Sequence, residues 1–218
     1  MGTAYAPVLD LAAGAVLVCA VLTLWRRDVR AIVTMLALQG VALAAVAGVL
    51  ASHQRDAGLA VTAALVLAVK GFVVPGLLRR VVRADPGSRE TAPLVNVPAS
   101  LVFASALIVL SYVVSAKVIA VSPSAASRLV PIGIATVLVG YFMLVTRRRA
   151  VSQIVGLLLV DNGIALVTFL LTAGVPLIVE LGAALDVLLV VVVLQVLVVH
   201  IRDQIGTSEL DQLRELRD

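Results

Sequence analysis

The chain has 218 residues, of which 61% are hydrophobic and 14% are charged, and its mean hydropathy is +1.13. Soluble domains carry roughly 25% charged residues, so this composition excludes a soluble globular protein and predicts an all-α, polytopic membrane protein. The net charge of +4 does not indicate a nucleic-acid partner, because the basic residues are confined to the ends of apolar runs.

Seven apolar runs each approach the ~20 residues that a helix needs to cross ~30 Å of hydrocarbon. In chain order they cover residues 7–25, 29–51, 58–78, 98–119, 129–146, 151–173 and 177–199. They predict a seven-helix transmembrane domain over residues 1–200. Residues 201–218 form a tail in which Leu210, Leu213 and Leu216 recur at helical spacing, which predicts a short amphipathic helix or a segment that orders on a partner.

The basic residues predict the orientation of the spans. Thirteen fall in the loops and tail on one side of the runs, and three fall on the other. Because cytoplasmic loops carry the excess of arginine and lysine, we expect the N-terminus outside and the C-terminus inside. The thirteen are Arg26, Arg27, Arg30, Arg79, Arg80, Arg83, Arg89, Arg147, Arg148, Arg149, Arg202, Arg214 and Arg217.

An internal repeat is visible when residues 26–43 are laid over residues 148–165. The alignment places Gln39 on Asp161, and it makes spans one to three correspond to spans five to seven. Copies that are four spans apart keep the same direction through the membrane, so the pattern predicts a parallel repeat.

Four ionisable residues lie inside the apolar runs: Lys70, Asp161, Glu180 and Asp186. A charge at the bilayer centre costs about 2.5 to 3.5 kcal/mol on insertion scales, so these residues are candidates for a functional site. Counting 1.5 Å per residue puts the two aspartates near the midplane, Lys70 slightly inward of it and Glu180 one turn inside the outer end of the last run. They predict a polar layer that faces protein or a water-filled cavity.

Two roles are open for this layer. Burial disfavours the charged form of an ionisable group and an opposite charge favours it, so groups held between these influences can exchange protons and form a proton path. Alternatively, polar residues between transmembrane helices only hold the helices together, at ~0.6 kcal/mol for an average contact. Gln39, Asn162 and Gln195 are secondary polar residues that suit the second role.

The sequence predicts no catalytic centre and no metal site on this chain. It lacks a glycine-rich phosphate loop, a metal-spaced cluster and a Ser/His/Asp constellation. Cys19 is the single cysteine, so the chain cannot hold an iron–sulfur cluster alone. His53 and His200 lie at opposite ends of the spans, roughly 30 Å apart, and cannot share a haem or metal. Any redox centre is therefore expected on another subunit.

Four sequence segments together resemble the membrane component E of hydrogenase-4. They are KGFVVP (residues 70–75), QIVGLLLVDNG (153–163), LIVELGAALD (177–186) and Gly206-Thr207 before the leucine-spaced terminus. The resemblance covers most of the chain in topology and about a third of it in specific motifs. It implies a seven-span, non-catalytic subunit of a group 4 NiFe hydrogenase or formate hydrogenlyase-type complex, related to respiratory complex I, in the cytoplasmic (inner) membrane of a prokaryote.

The resemblance also implies roles for individual residues. Residues 129–200 resemble the three-helix K-type subunit of complex I, whose intramembrane acids belong to its proton path. Asp186 falls at or next to the second of those acids, and Asp161 lies three residues after the first, which is Leu158 here. That displacement of about one turn keeps the acid on a similar helix face. Lys70 and Glu180 match the hydrogenase component directly.

The partners implied by the resemblance are antiporter-like membrane subunits and the subunits of a peripheral arm. The NiFe site and the iron–sulfur clusters are expected on those partners, with no cofactor on this chain. Electron transfer in the arm would be coupled to movement of protons, or of sodium ions. A purely structural, bridging subunit of such a complex and a subunit of a multisubunit cation/proton antiporter are the alternatives.

Overall fold

The computed structural model describes residues 5–84, 95–121 and 123–172, and over these ranges the chain is helical with no strand. Within these ranges, six helices are long and apolar enough to cross a membrane. They are α1 (Tyr5–Trp25), α2 (Val29–Gln54), α3 (Ala57–Val66, Leu67–Val73 and Val74–Ala84 in continuous succession), α4 (Val97–Val121), α5 (Val130–Thr146) and α6 (Ala150–Thr172).

These six helices agree with the first six predicted spans. The largest difference is at α3, which continues to Ala84 where the apolar run predicts an end at residue 78. The added turns are amphipathic, with Val82 buried and Arg83 exposed, so a search for continuous apolarity does not detect them. The seventh predicted span, residues 177–199, and the predicted tail lie outside the described residues.

Aspartate side chains begin two of the helices. The carboxylate of Asp28 accepts the backbone N–H of Arg30 at 2.9 Å, and that of Asp56 accepts the N–H of Gly58 at 2.8 Å. Each satisfies a donor that the first turn of a helix leaves without a partner. The connections at these points are short, so α1, α2 and α3 run antiparallel in succession.

The interior is divided into two apolar clusters with a polar layer between them. We call one the basic-end cluster, because it lies next to the arginine-rich helix ends. We call the other, which lies away from those ends, the far-end cluster. Main members of the far-end cluster are Leu9, Val16, Leu43, Leu50, Leu59, Val66, Val130, Leu166 and Phe169. Main members of the basic-end cluster are Leu24, Val29, Ile32, Val33, Leu36, Leu78, Val82, Val139, Met143, Val155 and Leu159. Every helix that contributes to both clusters, apart from α1, carries a polar residue between its two sets: Gln39 in α2, Lys70 in α3, Thr136 in α5, and Asp161 and Asn162 in α6.

The hairpins α1–α2 and α5–α6 pack against each other with like ends together. A side-chain nitrogen of Arg147, at the end of α5, donates to the carbonyl of Leu24 near the end of α1 at 2.8 Å. Asn162 of α6 contacts Gln39 of α2; they lie twelve and ten residues after the starts of their helices. Corresponding helices therefore run parallel, which is the relative orientation that two parallel copies would have.

Glycines allow α5 and α6 to pack backbone against backbone. A Cβ on Gly140 would lie 2.7 Å from the backbone nitrogen of Val160 and 2.9 Å from the carbonyl oxygen of Gly156. These distances are too short for a Cβ, so only the hydrogen of glycine fits at this position. Small residues are the usual means of close approach between membrane helices. This contact fixes the position of α6, the helix that carries Asp161.

Candidate functional site

The centre of the polar layer is an ion pair between α3 and α6. Lys70 Nζ lies 2.9 Å from Asp161 Oδ2, and the two side chains are 6% and 23% exposed. Asp161 is eleven residues into α6, or about 16 Å along its axis, so the pair lies near half the depth of a ~30 Å hydrocarbon core. The two ionisable residues that the structure describes among the predicted four are thus brought into direct contact.

A chain of amide hydrogen bonds runs beside the ion pair and connects three helices. Asn162 Nδ2 donates to Gln39 Oε1 at 2.9 Å, and Gln39 Nε2 donates to the carbonyl oxygen of Val16 at 3.3 Å. Gln39 is fully buried and Asn162 is 3% exposed. Since Asp161 and Asn162 are consecutive, α6 contributes to both the ion pair and the amide chain.

Lys70 lies in a π-helical segment, Leu67–Val73, inside α3. Here the N–H of Val74 bonds to the carbonyl of Val69, five residues earlier, where an α-helix would bond four residues earlier. A short π-helical insertion of this kind is found frequently at functional sites. It changes the direction in which Lys70 leaves the helix relative to a regular α-helical turn.

Gly40 in α2 allows the π-helical segment to approach. A Cβ on Gly40 would collide with the carbonyl oxygen of Lys70 and would lie 2.9 Å from the backbone nitrogen of Gly71. Backbone atoms cannot move aside as the end of a flexible side chain can. The backbone of Lys70 is therefore held against α2 at the residue that follows Gln39.

A small cavity adjoins the pair. The space open to the centre of a water molecule is about 10 Å³. This is the smallest volume that can hold one water. Its lining residues are Leu36, Val69, Lys70, Val74, Leu158, Asp161 and Asn162. Three of the seven are polar, so the cavity offers polar partners to a water molecule.

Three predicted site residues, Glu180, Asp186 and Gln195, lie outside the described residues. The other four predicted residues form one connected group: Lys70 forms an ion pair with Asp161, Asp161 precedes Asn162, and Asn162 donates a hydrogen bond to Gln39. Among the described residues, no group of three or more His, Cys, Asp or Glu side chains could hold a metal ion.

The sequence did not indicate the role of Arg147. It counts as one of three consecutive basic residues in a loop, yet its side chain is only 4% exposed. Its guanidinium reaches the carbonyls of Leu24 at 2.8 Å and of Thr23 and Arg26 at 3.5 Å, at the end of α1, where carbonyls lack helical partners. Three arginines after an apolar run signal a helix end, but the sequence does not say which of them turns inward.

The fold and the site define a multi-pass helical membrane protein with a buried ion pair at mid-depth. The chain is 46% identical over 210 residues to the Uncharacterized protein Rv0085 of Mycobacterium tuberculosis (strain ATCC 25618 / H37Rv), and the match covers 96% of each chain. It belongs to the same family as that mycobacterial protein. No family model matches the chain. No solved structure matches it either.

Proposed function

We propose that this chain is a non-catalytic membrane subunit of a hydrogenase-4-type, complex-I-like oxidoreductase. Its role in the proposal is to translocate protons, or sodium ions, in step with electron transfer in partner subunits. The main supporting observation is the Lys70–Asp161 pair, with its atoms 2.9 Å apart at mid-depth. Ionisable groups at this depth are unfavourable for insertion and are typical of ion pathways.

The proposed topology has seven spans in a prokaryotic cytoplasmic membrane, with the N-terminus outside and the C-terminus inside. Residues 129–200 are the K-type unit in this proposal, and residues 201–218 lie in the cytoplasm. The direction of the helices supports the orientation, because α1, α3 and α5 end on the side that carries most of the arginines.

The mechanism proposed for the described residues is direct proton exchange within the pair. A separation of 2.9 Å is within the range for proton transfer. When the ammonium of Lys70 gives a proton to the carboxylate of Asp161, an N–H bond breaks, an O–H bond forms and both groups become neutral. Water in the adjoining cavity would then take that proton from Asp161 as its O–H bond breaks, and the neutral amine of Lys70 would take up the next proton. Asp186 would exchange protons with this pair laterally at mid-depth, and Glu180 would connect the layer to the outer side.

A structural role for the same layer is the second candidate. The hydrogen bonds from Asn162 to Gln39 and from Gln39 to Val16 connect α6, α2 and α1, which is what interhelical attachment requires. In this role the chain bridges antiporter-like subunits to a peripheral arm, and its polar residues set the helix arrangement.

The third candidate is a subunit of a multisubunit cation/proton antiporter. Such a subunit would use the polar layer for ion movement without any redox partner.

Co-purification from the native host in mild detergent tests the assignment to a complex. Recovery of a nickel-binding large subunit, iron–sulfur subunits and antiporter-like subunits is the expected result. Recovery of the chain with antiporter subunits alone, or by itself, would contradict the hydrogenase-type assignment.

Substitution within the pair separates conduction from attachment. The Lys70→Met complex is expected to assemble and to transfer electrons, but to move fewer protons per electron. Asp10→Asn is the control, because Asp10 is an exposed acid near the start of α1 and lies outside the polar layer. A lower yield of complex with unchanged coupling in each assembled complex would support the structural role instead.

A further inference from the structure

The end of α3 exposes three arginines on one face of an amphipathic helix. In Val74–Ala84 the side chains of Leu78 and Val82 are 1% and 3% exposed, whereas Arg79, Arg80 and Arg83 are exposed. The apolar face packs into the basic-end cluster. The three guanidinium groups therefore point away from the protein interior at the end of a membrane-length helix.

The junction between α1 and α2 adds three more exposed arginines: Arg26, Arg27 and Arg30. It lies beside the end of α3, since Val29 and Ile32 of α2 belong to the same cluster as Leu78 and Val82. Trp25, the last residue of α1, is 61% exposed at this end. We call these six arginines and Trp25 the arginine face.

The positive charge of the arginine face is not neutralised within the described residues. The described acid at this end is Asp28, and its carboxylate accepts the N–H of Arg30 at the start of α2. None of the six guanidinium groups forms an ion pair with a described carboxylate. Six cations against one acid leave a strong attraction for anions.

We propose that the arginine face binds the headgroups of anionic phospholipids in the adjacent leaflet. Guanidinium groups pair with phosphate oxygens through two parallel hydrogen bonds. Tryptophan is enriched at the level of the headgroups, and exposed Trp25 occupies that level at the end of α1. The apolar bodies of α1, α2 and α3 lie in the bilayer, so lipid phosphates are already present where these arginines emerge. The positive-inside rule puts this face at the cytoplasmic leaflet, where anionic lipids are concentrated.

The test uses the purified full-length chain, or its complex, reconstituted in equimolar phosphatidylglycerol and phosphatidylcholine. Native mass spectrometry measures which lipid is retained. Each arginine near an anionic surface contributes about fivefold, so the triple variant Arg79→Gln, Arg80→Gln, Arg83→Gln should reduce the preference for phosphatidylglycerol at least tenfold. The control variant Arg55→Gln, Arg128→Gln removes exposed arginines elsewhere on the chain and should leave the preference unchanged.

Ten of the thirteen basic residues on the predicted inner side remain in the triple variant, so its orientation should be retained. If that variant does not fold, the triple Arg→Lys variant keeps the charge but loses the two-bond geometry, and at least a twofold loss of preference is expected. Equal retention of both lipids by the wild-type chain would overturn the proposal. Displacement of phosphatidylglycerol by excess inorganic phosphate would also overturn it, because the face would then be a site for free anions.

Discussion

Replacing Lys70 by methionine should destabilise the protein because it leaves Asp161 without its cation. Methionine is similar to lysine in length and removes only the charge and the hydrogen-bond donors. Breaking a buried ion pair by removing one partner costs about 3 to 5 kcal/mol. Asp161 is 23% exposed, so partial solvation should reduce this to about 2 to 3 kcal/mol.

The variant Asp161→Asn should destabilise the protein by a similar amount, since it leaves Lys70, only 6% exposed, without a carboxylate. The double variant Lys70→Met, Asp161→Asn leaves no charge at the position of the pair. It should therefore be less destabilised than the sum of the two single variants, by about 1 to 3 kcal/mol of coupling free energy.

Thermal unfolding of the reconstituted proteins, in the same lipid and at one pH, measures this coupling. For a chain of this size each kcal/mol shifts the unfolding temperature by roughly 2 to 4 °C, so each single variant should unfold about 4 to 12 °C lower than the wild type. The surface variant Asp10→Asn should unfold at the wild-type temperature. Additive losses in the double variant would refute an energetically significant pair.

Two other substitutions test contacts that support the site. Gly40→Ala would drive a methyl group into the backbone of the π-helical segment of α3 and should destabilise the protein by about 1 to 3 kcal/mol in the same unfolding assay. Gly48→Ala in the same helix has no atom within 4 Å of the new Cβ and should be neutral or slightly stabilising, and equal effects of the two would contradict the close contact. Arg147→Met should cost about 1.5 to 3 kcal/mol because the carbonyl of Leu24 loses a charged donor. The exposed residue Arg27 supplies the control Arg27→Met. If Arg147→Met costs no more than this control, the hydrogen bond from Arg147 to Leu24 does not stabilise the protein.

The helices themselves were accessible from the sequence because the membrane imposes a simple requirement. About twenty apolar residues must follow one another, and six runs of this kind are helices in the described residues. The depth of the two residues in the membrane could also be predicted, because the constant rise per helical residue places Lys70 and Asp161 at similar levels. Sequence alone did not show that they contact each other, because depth does not determine which helices are neighbours.

The local details of the site were not accessible from sequence. Apart from Lys70, the π-helical segment has the same apolar composition as the α-helical turns before it, Ala57–Val66. The contact at Gly40 depends on the partner backbone, so Gly40 and Gly48 look alike in sequence although only Gly40 would collide. Arg147 differs from its two arginine neighbours only in the direction that the chain takes at the end of α5.

The proposed proton conduction by the Lys70–Asp161 pair is tested by the ratio of protons moved to electrons transferred. The measurement compares wild-type and Asp161→Asn complexes in sealed proteoliposomes, with internal pH and electron transfer recorded together and complex content matched. We expect the Asp161→Asn complex to transfer electrons but to move fewer protons for each of them. An unchanged ratio in a fully assembled Asp161→Asn complex would rule out conduction through the pair and leave Lys70 and Asp161 with a structural role.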